Sequence, residues 1–427
     1  MVRWTEHPTS CIIASSGGGI ALDKGALGNY TAAALGSAPT GSGAGTQVGL
    51  ELWLTDDPAL LKPWTVQSEI KGCYGSTTKS GGVVCPSMVP SDLHAGYIGD
   101  NYMWQEGPVG NRTYYVLAGS TVCKDSQPWC GYPHGTLPMS MLFSSPDLLH
   151  WQFHSQYSNG QPNDGLAGDG RLDVPDTFPL SDGRQAFQWL TGGYSVWAIG
   201  NVSAGGVFTN QTEGSMDEGK FFCQQSFWTP DKRRVSIGWV QNNPSSQSFP
   251  REIVEVNNAL HYRPAKELQT LNGAIAYSNR NLLLSSKAVH IAAGTQFRVT
   301  TTITCSSGGG GCAASLSVLG GAVAISVSSF DPHTKCKGKG SSATNAYGWC
   351  LQSGTHALPF GAPSSASALL DVFVDGGVIE VYAGDGARVL TLTTSSAVSD
   401  AVTLSGSEHA AADVQAWPLA RPPPSVI

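Results

Sequence analysis

An all-β chain is predicted, an N-terminal multi-sheet β domain followed by a C-terminal β-sandwich, and three observations predict it. Glycine is abundant, 52 of 427 residues, and seven of these follow Asp or Asn in the pairs that form tight two-residue turns. Only 13% of the residues are charged, against roughly 25% in an average soluble protein, which is too few to solvate the outer faces of many helices. Short apolar runs of strand length recur between turn signals, and helical periodicity is nearly absent. The chain is also long enough, and at 41% hydrophobic apolar enough, for more than one core.

The elements follow in order. Residues 31–46, TAAALGSAPTGSGAGT, form a small-residue tract that reads as an exposed loop. From 47 to 262 come the strand-like runs VGLELWL, TYYVLAG, MSMLFS, AFQWLTGG, SVWAIGNV and RVSIGWV, with turn signals at Asp164-Gly165, Asp169-Gly170 and Asp182-Gly183. RPAKELQTL at 263–271 is the best candidate for a short helix or linker. FRVTTTITC, LSVLGGAVAISVSSF and DVFVDGGVIEVYAGDGARVLTL then continue the β pattern. The last holds two Asp-Gly turns, Asp375-Gly376 and Asp385-Gly386, among alternating apolar residues, and predicts a β-meander. The expected division is 1–262 for the first domain, 263–290 for a linker and 291–427 for the sandwich.

A net charge of −7 argues against a nucleic-acid partner, which calls for a clustered basic face. No run of about 18 apolar residues predicts a membrane span. The opening MVRWTEHPTSCII lacks the apolar stretch of a signal peptide, yet ten cysteines and four N-x-Ser/Thr sequons (Asn29, Asn111, Asn201, Asn210) suit a secretory protein. An extracellular or vacuolar location is therefore expected if a signal lies upstream of Met1. Spacing suggests the disulfides Cys73–Cys85, Cys123–Cys130, Cys305–Cys312 and Cys336–Cys350. No C-x-x-C or H-E-x-x-H occurs, so no metal is expected. GSMDEGKF at 214–221 has P-loop-like glycine spacing, but Phe221 stands where a magnesium-binding hydroxyl belongs. No cofactor is expected.

What remains is carboxylates in strand-and-turn settings beside aromatics. Asp100 lies in YIGDNYMWQEG, Asp173 and Asp176 in GDGRLDVPDTFPL, and Asp217 and Glu218 precede Lys220 in MDEGKFF. Carboxylates converging on a polar funnel rimmed by Trp and Tyr are what a sugar site needs. One acid protonates the leaving oxygen, a second attacks or stabilises the anomeric carbon, and rings stack on the sugar faces. Any one of these aspartates alone reads as a turn cap. Trp104, Trp129, Trp189, Trp197 and Trp228 suit stacking or core packing. His94 and His150 read as turn and packing residues, and Arg251 with Glu252 as a structural ion pair.

Five segments, in order, resemble glycoside hydrolase family 32, the β-fructofuranosidases. SSPDLLHWQF at 144–153 resembles S-x-D-L-x-H-W. GDGRLDVPDTFPL at 168–180 resembles G-T-G-M-W-E-C-P-D-x-F-P-L, and MDEGKFFCQQSFWTPDKRRVSIGWV at 216–240 resembles D-x-G-x-F-Y-A-S-K-x-F…R-R-x-x-x-G-W. SFPREI at 248–253 resembles S-L-P-R-E-L, and DVFVDGGVIEVYAGDG at 371–386 resembles F-V-D-x-S-V-V-E-V-F. The resemblance implies a five-bladed β-propeller, its first blade incomplete, with an appended sandwich. It also implies a retaining hydrolase of terminal β-D-fructofuranosides, with sucrose or a fructan oligosaccharide as partner.

Carried over position by position, the resemblance implies Asp173 as acid/base and Asp100 as the group that holds sugar hydroxyls in the transition state. Asp217 and Lys220 match the family's substrate-binding pair, and Asp176 and Trp104 join them as expected substrate contacts. The departures are specific. Asp173 stands where the family has Glu, one methylene longer, or roughly 1.5 Å, and a misplacement of about 1 Å can cost on the order of a hundredfold. The family's R-D-P corresponds to Gly99-Asp100-Asn101, so the Arg is lost. The nucleophile motif W-M-N-D-P-N-G does not occur, and WTEHPTSCII resembles a segment downstream of it, so the chain is expected to begin inside the first blade. These departures also support an alternative, a non-catalytic propeller that binds fructan or another sugar.

Overall fold

The computed structural model of the protein describes residues 18–37, 49–57, 64–66, 82–85, 88–93, 95–123, 136–158, 172–191, 193–242, 245–306, 311–329, 336, 348–362, 365–395 and 399–420. The fold is all-β, with propeller sheets followed by a sandwich, and its chain divides into two compact units, 4–214 and 215–427.

The first unit carries three antiparallel sheets. One joins β1 (Gly19–Ala21), β2 (Ala32–Ser37), β3 (Leu50–Thr55) and β4 (Thr65–Val66), with β5 (Gly82–Val84) also on β3. The next runs in chain order through β6 (Ala95–Glu106), β7 (Thr113–Cys123), β8 (Thr136–Ser145) and β9 (Gln152–Ser158). The third does the same with β10 (Asp173–Pro179), β11 (Gln185–Thr191), β12 (Tyr194–Val202) and β13 (Phe208–Asp217). This four-strand meander is the blade of a propeller. Leu35, Leu52 and Leu54 of the first sheet pack with Ile98, Val116 and Met141 of the second. Leu117, Leu142 and Tyr157 of the second pack with Phe187, Trp189 and Val196 of the third. Buried Asn101 staples the first two sheets, its amide donating to Leu35 O (2.8 Å) and its Oδ1 accepting from Gly18 N (3.0 Å).

The small-residue tract departs from the sequence expectation. Ala32 to Leu35 are buried in β2, paired with β3, because the short alanine side chains let the strand lie close under its neighbours. Residues 38–46 lie outside the described residues. The S-x-D-L-x-H-W segment proves to be a turn device. Asp147 Oδ1 accepts from Leu149 N (2.9 Å) and His150 N (2.8 Å), and buried Trp151 donates to Leu148 O (2.7 Å). His150 is exposed and paired with Asp147, a turn residue as expected.

The second unit begins with a sheet of β14 (Phe221–Trp228), β15 (Arg234–Val240), β17 (Arg251–Val256) and β18 (Ala259–Pro264), with β16 (Ser246–Gln247) on β15. The segment expected as helix or linker contains a 3₁₀ helix, Lys266–Leu271. β19 (Tyr277–Leu283) then joins the sandwich. One sandwich sheet has the order β19, β30 (Ala410–Pro418), β21 (Gln296–Cys305), β26 (Ser367–Asp375), β27 (Val378–Ala383), β28 (Arg388–Thr393). The other has β20 (Val289–Ala293), β29 (Ala401–Gly406), β22 (Ala313–Val318), β23 (Val323–Ser329), β24 (Trp349–Ser353), β25 (His356–Phe360). Strand alternation sends Phe297, Val299, Ile303, Val372, Ile379 and Leu390 of one sheet against Leu316, Ile325, Trp349 and Val402 of the other. The meander through Asp375 and Asp385 is present as β26, β27 and β28.

Disulfides join Cys305 to Cys312 and Cys336 to Cys350. Cys85 is disulfide-bonded; Cys73, Cys130 and the Cys123 side chain lie outside the described residues, as do Asp164, Asp169, His94 and Trp129.

Candidate functional site

The first strands of three successive sheets are each interrupted by a bulge with a left-handed, non-glycine residue. In β6 it is Asp100 (φ 35°), between the pairs of Gly99 and Asn101. In β10 it is Val174 (φ 50°), where the register shifts between Asp173 and Asp176. In β14 it is Cys223 (φ 48°), between Phe222 and Gln225. A β-branched residue in that conformation is an outlier, and such strain, of order 1–3 kcal/mol per residue, persists only where the surroundings impose it. A bulge turns one side chain out of the alternating pattern. In the first unit it does this at or beside both expected catalytic acids.

Gly119, in β7, shows how closely the two acid-bearing strands approach. A Cβ there would lie 2.4 Å from Leu172 O and 3.5 Å from Asp100 O. Any side chain at 119 would press on the backbone at Leu172, next to Asp173, while meeting Asp100 O at ordinary contact distance. Both aspartates are half-buried. Asp176, by contrast, is 0% exposed and sits opposite buried Gln188. Beside it the Tyr157 hydroxyl bonds the Thr177 hydroxyl (2.8 Å), which donates to Ala186 O (2.9 Å). Burial, reinforced by the Asp176 charge, holds that phenol above its ordinary range.

In the second unit Asp217 is closed to solvent, its side chain 0% exposed. Its Oδ1 accepts from Gly219 N (2.7 Å) and Thr391 N (3.1 Å). Its Oδ2 accepts from the Thr391 hydroxyl (2.6 Å) and lies 3.0 Å from Arg251 Nη1. Arg251, equally buried, donates from Nε (3.1 Å) and Nη2 (2.8 Å) to Glu380 Oε2 and from Nη2 to Thr391 Oγ1 (2.7 Å). The Tyr382 hydroxyl bonds Glu380 Oε2 (2.6 Å), and Phe249 N bonds Glu380 Oε1 (2.7 Å). The guanidinium also lies 3.9 Å over the Phe221 ring. Burial opposes the Arg251 charge, but Glu380, Tyr382 and Asp217 outweigh it and hold the guanidinium firmly protonated. Lys220 is exposed. Next to its turn, Phe222 and the 41%-exposed Trp239 face each other across β14 and β15.

Two expected substrate contacts, Asp176 and Asp217, are thus enclosed by protein, and Asp217 has its hydrogen-bonding partners within its own unit. Trp104 is half-buried in a stack between Tyr102 (5.7 Å) and Tyr115 (5.2 Å) and donates to Glu106 Oε1 (2.9 Å). Trp189 and Trp197 are core residues, and Trp228 is 48% exposed under Arg234. The Arg251–Glu252 ion pair is replaced by two others. Alternation along β17 puts neighbouring side chains on opposite faces, so Arg251 pairs with Asp217 and Glu380 while Glu252 pairs with Arg233 (3.2 Å). The sequence reading passed over Thr391 and Trp239. A lone Thr carries no signal, whereas Trp239 could have been marked by its place two strands' ends from Lys220 in the G-W of the 216–240 segment.

The model of the family described as Glycosyl hydrolases family 32 N-terminal domain matches residues 130–260. Residues 130–260 thus resemble the N-terminal domain of that family. No curated protein sequence matches the chain, but solved structures do. The GH32 β-fructofuranosidase of Bombyx mori superposes with a TM-score of 0.66 at 16% identity, over 95% of this chain and 79% of that one. Fructan 1-exohydrolase IIa of Cichorium intybus gives 0.66 at 17% identity, over 95% and 84%. A mutant of that exohydrolase is held in complex with 1-kestose (0.62, 16%, 91% and 82%). At these identities the likeness establishes the propeller-plus-sandwich fold.

Proposed function

We propose that the chain recognises the terminal β-D-fructofuranosyl unit of sucrose or of a fructan oligosaccharide and hydrolyses its glycosidic bond. The observation that carries this reading is the pair of strained bulges that hold Asp100 and Asp173 on the first strands of neighbouring sheets, beside the side-chain-free Gly119. Asp173 gives its proton to the leaving glycosidic oxygen and then, as a carboxylate, takes one from the attacking water. Asp100 accepts hydrogen bonds from sugar hydroxyls that tighten as the anomeric carbon becomes cationic. The resemblance adds Lys220, which is exposed, as a substrate-binding residue. The propeller limits of 1–262, the linker of 263–290 and the sandwich of 291–427 belong to the same proposal. So does an extracellular or vacuolar setting, supported by the two sandwich disulfides and the exposed sequons Asn29, Asn111 and Asn201.

A second reading, a sugar-binding propeller without turnover, is favoured by Gly99 and Asp173 in place of the family's Arg and Glu. One experiment separates the two. The protein is titrated with sucrose and 1-kestose by calorimetry while free fructose is assayed, for wild type and Asp173→Asn. Fructose release that Asp173→Asn abolishes supports hydrolysis. Binding without release, unchanged by Asp173→Asn, selects the second reading, and no binding of either sugar sinks both.

A further inference from the structure

We propose that Thr391, in the sandwich strand β28, is a positioning residue for Lys220 and so for the sugar site of the reading above, on which this inference rests. Lys220 forms no ion pair with a described residue, so its ammonium is placed by its main chain alone. That main chain is held by the sandwich. Glu218 N donates to Val389 O (3.1 Å), Lys220 N donates to Thr391 O (2.9 Å), and Lys220 O accepts from Gln241 N (2.9 Å). Residues 218–220 are therefore laid on β28, the end strand of its sheet, as a short added strand.

Thr391 ties every part of this arrangement together. Its carbonyl holds Lys220, its amide and hydroxyl hold the two oxygens of Asp217, and its hydroxyl accepts from Arg251. The hydroxyl's one proton goes to Asp217 and one of its two lone pairs accepts from Arg251, so it works in both senses. Asp217 passes the hold on to the turn through Gly219 N (2.7 Å). Gly219 has to lie flat against β28, since a Cβ there would stand 1.9 Å from Thr391 O. Arg251, itself paired with Glu380, orients the carboxylate of Asp217. With both oxygens engaged and no exposed surface, Asp217 acts on the sugar through the turn and does not touch it. The sandwich thereby fixes the turn that carries Lys220.

The test uses the full chain, 1-kestose as the probe, and three readouts: 1-kestose Kd by calorimetry, melting temperature, and amide hydrogen exchange of the 218–220 peptide by mass spectrometry. Thr391→Val removes the hydroxyl at constant shape and is expected to speed exchange of that peptide and weaken 1-kestose about tenfold. Thr391→Ser restores both. Combined with Lys220→Ala it adds no further loss of affinity, although the two losses in melting temperature add. If Thr391→Val does not fold, Asp217→Asn, which weakens the same link to Gly219, is expected to change exchange and affinity in the same direction. Unchanged exchange in Thr391→Val, or losses of affinity that multiply with Lys220→Ala, overturns the positioning role. Faster exchange with an affinity indifferent to Lys220→Ala upholds the positioning and sinks the fructoside reading instead.

Discussion

Asp173 and Asp217 are signalled alike in the sequence, each an acid in a signature segment at the edge of a propeller strand, yet the two units treat them in opposite ways. Asp173 opens β10 and is kept half-exposed, with the left-handed Val174 behind it. Asp217 ends β13 and is enclosed by two backbone amides, a hydroxyl and a guanidinium. The first unit stores strain to keep a carboxylate available. The second unit spends a carboxylate to fix a turn. The difference teaches that a motif fixes where an acid stands in the fold, while the donors around it decide whether it meets substrate or protein.

The largest effect that sharpens this contrast is expected from Arg251→Met. It strands Asp217 and Glu380 without their shared counter-charge, and breaking a buried pair from one side costs about 3–5 kcal/mol. A fall in melting temperature of roughly 10 °C should follow, and an unchanged melting temperature would show that the network is not a clamp. Asp173→Asn should do the reverse. Fructose release drops by about a hundredfold or more while melting stays put, and a large loss of stability there would erase the contrast. Asp173→Glu sharpens it further. Restoring the missing methylene should raise release about tenfold or more, and a decrease would show that the backbone has already adjusted to Asp. Next comes Gly219→Ala, where the clash with Thr391 O should cost about 1–3 kcal/mol and weaken sugar binding with it. Tolerance of that alanine in thermal melts and binding would refute the close approach.

The fold was largely legible, because strand alternation and Asp-Gly turns are local signals, and β26, β27 and β28 appear where DVFVDGGVIEVYAGDGARVLTL predicts them. Ala32–Leu35 misled because small residues signal both flexible loops and tightly covered strands, and only the packing of β2 against β3 decides between them. The candidate acids were legible through their segments, but their surroundings were not. Arg251 and Glu380 lie 129 positions apart, and Asp217 and Thr391 174. The signatures D-x-G, S-F-P-R-E-I and V-I-E-V read as three separate motifs, whereas Asp217, Arg251 and Glu380 from them form one buried network. No single sequence tells which distant strand supplies a partner.

The smallest expected effect concerns pH, and it probes the second unit alone. His261, on β18, is half-buried with Nδ1 3.2 Å from Asp385 O. Burial holds its pKa below the ordinary 6.5, and the charges of Arg263 and Arg388 push the same way, against the opposing pull of Asp385. The folded state thus favours the neutral ring. Its contribution to stability is complete above the unfolded value and is lost as pH falls through the lowered folded value, because the unfolded chain binds the proton more readily. Asp371 has the opposite sign, since burial raises its carboxyl despite the Arg298 pair, and its contribution, present below 3.8, is lost as pH rises through its folded value. Denaturant melts between pH 8 and 5 keep clear of most carboxylate titrations and isolate the histidine. Wild type should lose stability across that window while His261→Gln stays flatter. Equal slopes in the two proteins would mean that the ring titrates alike folded and unfolded, and that the contact with Asp385 places no demand on its protonation.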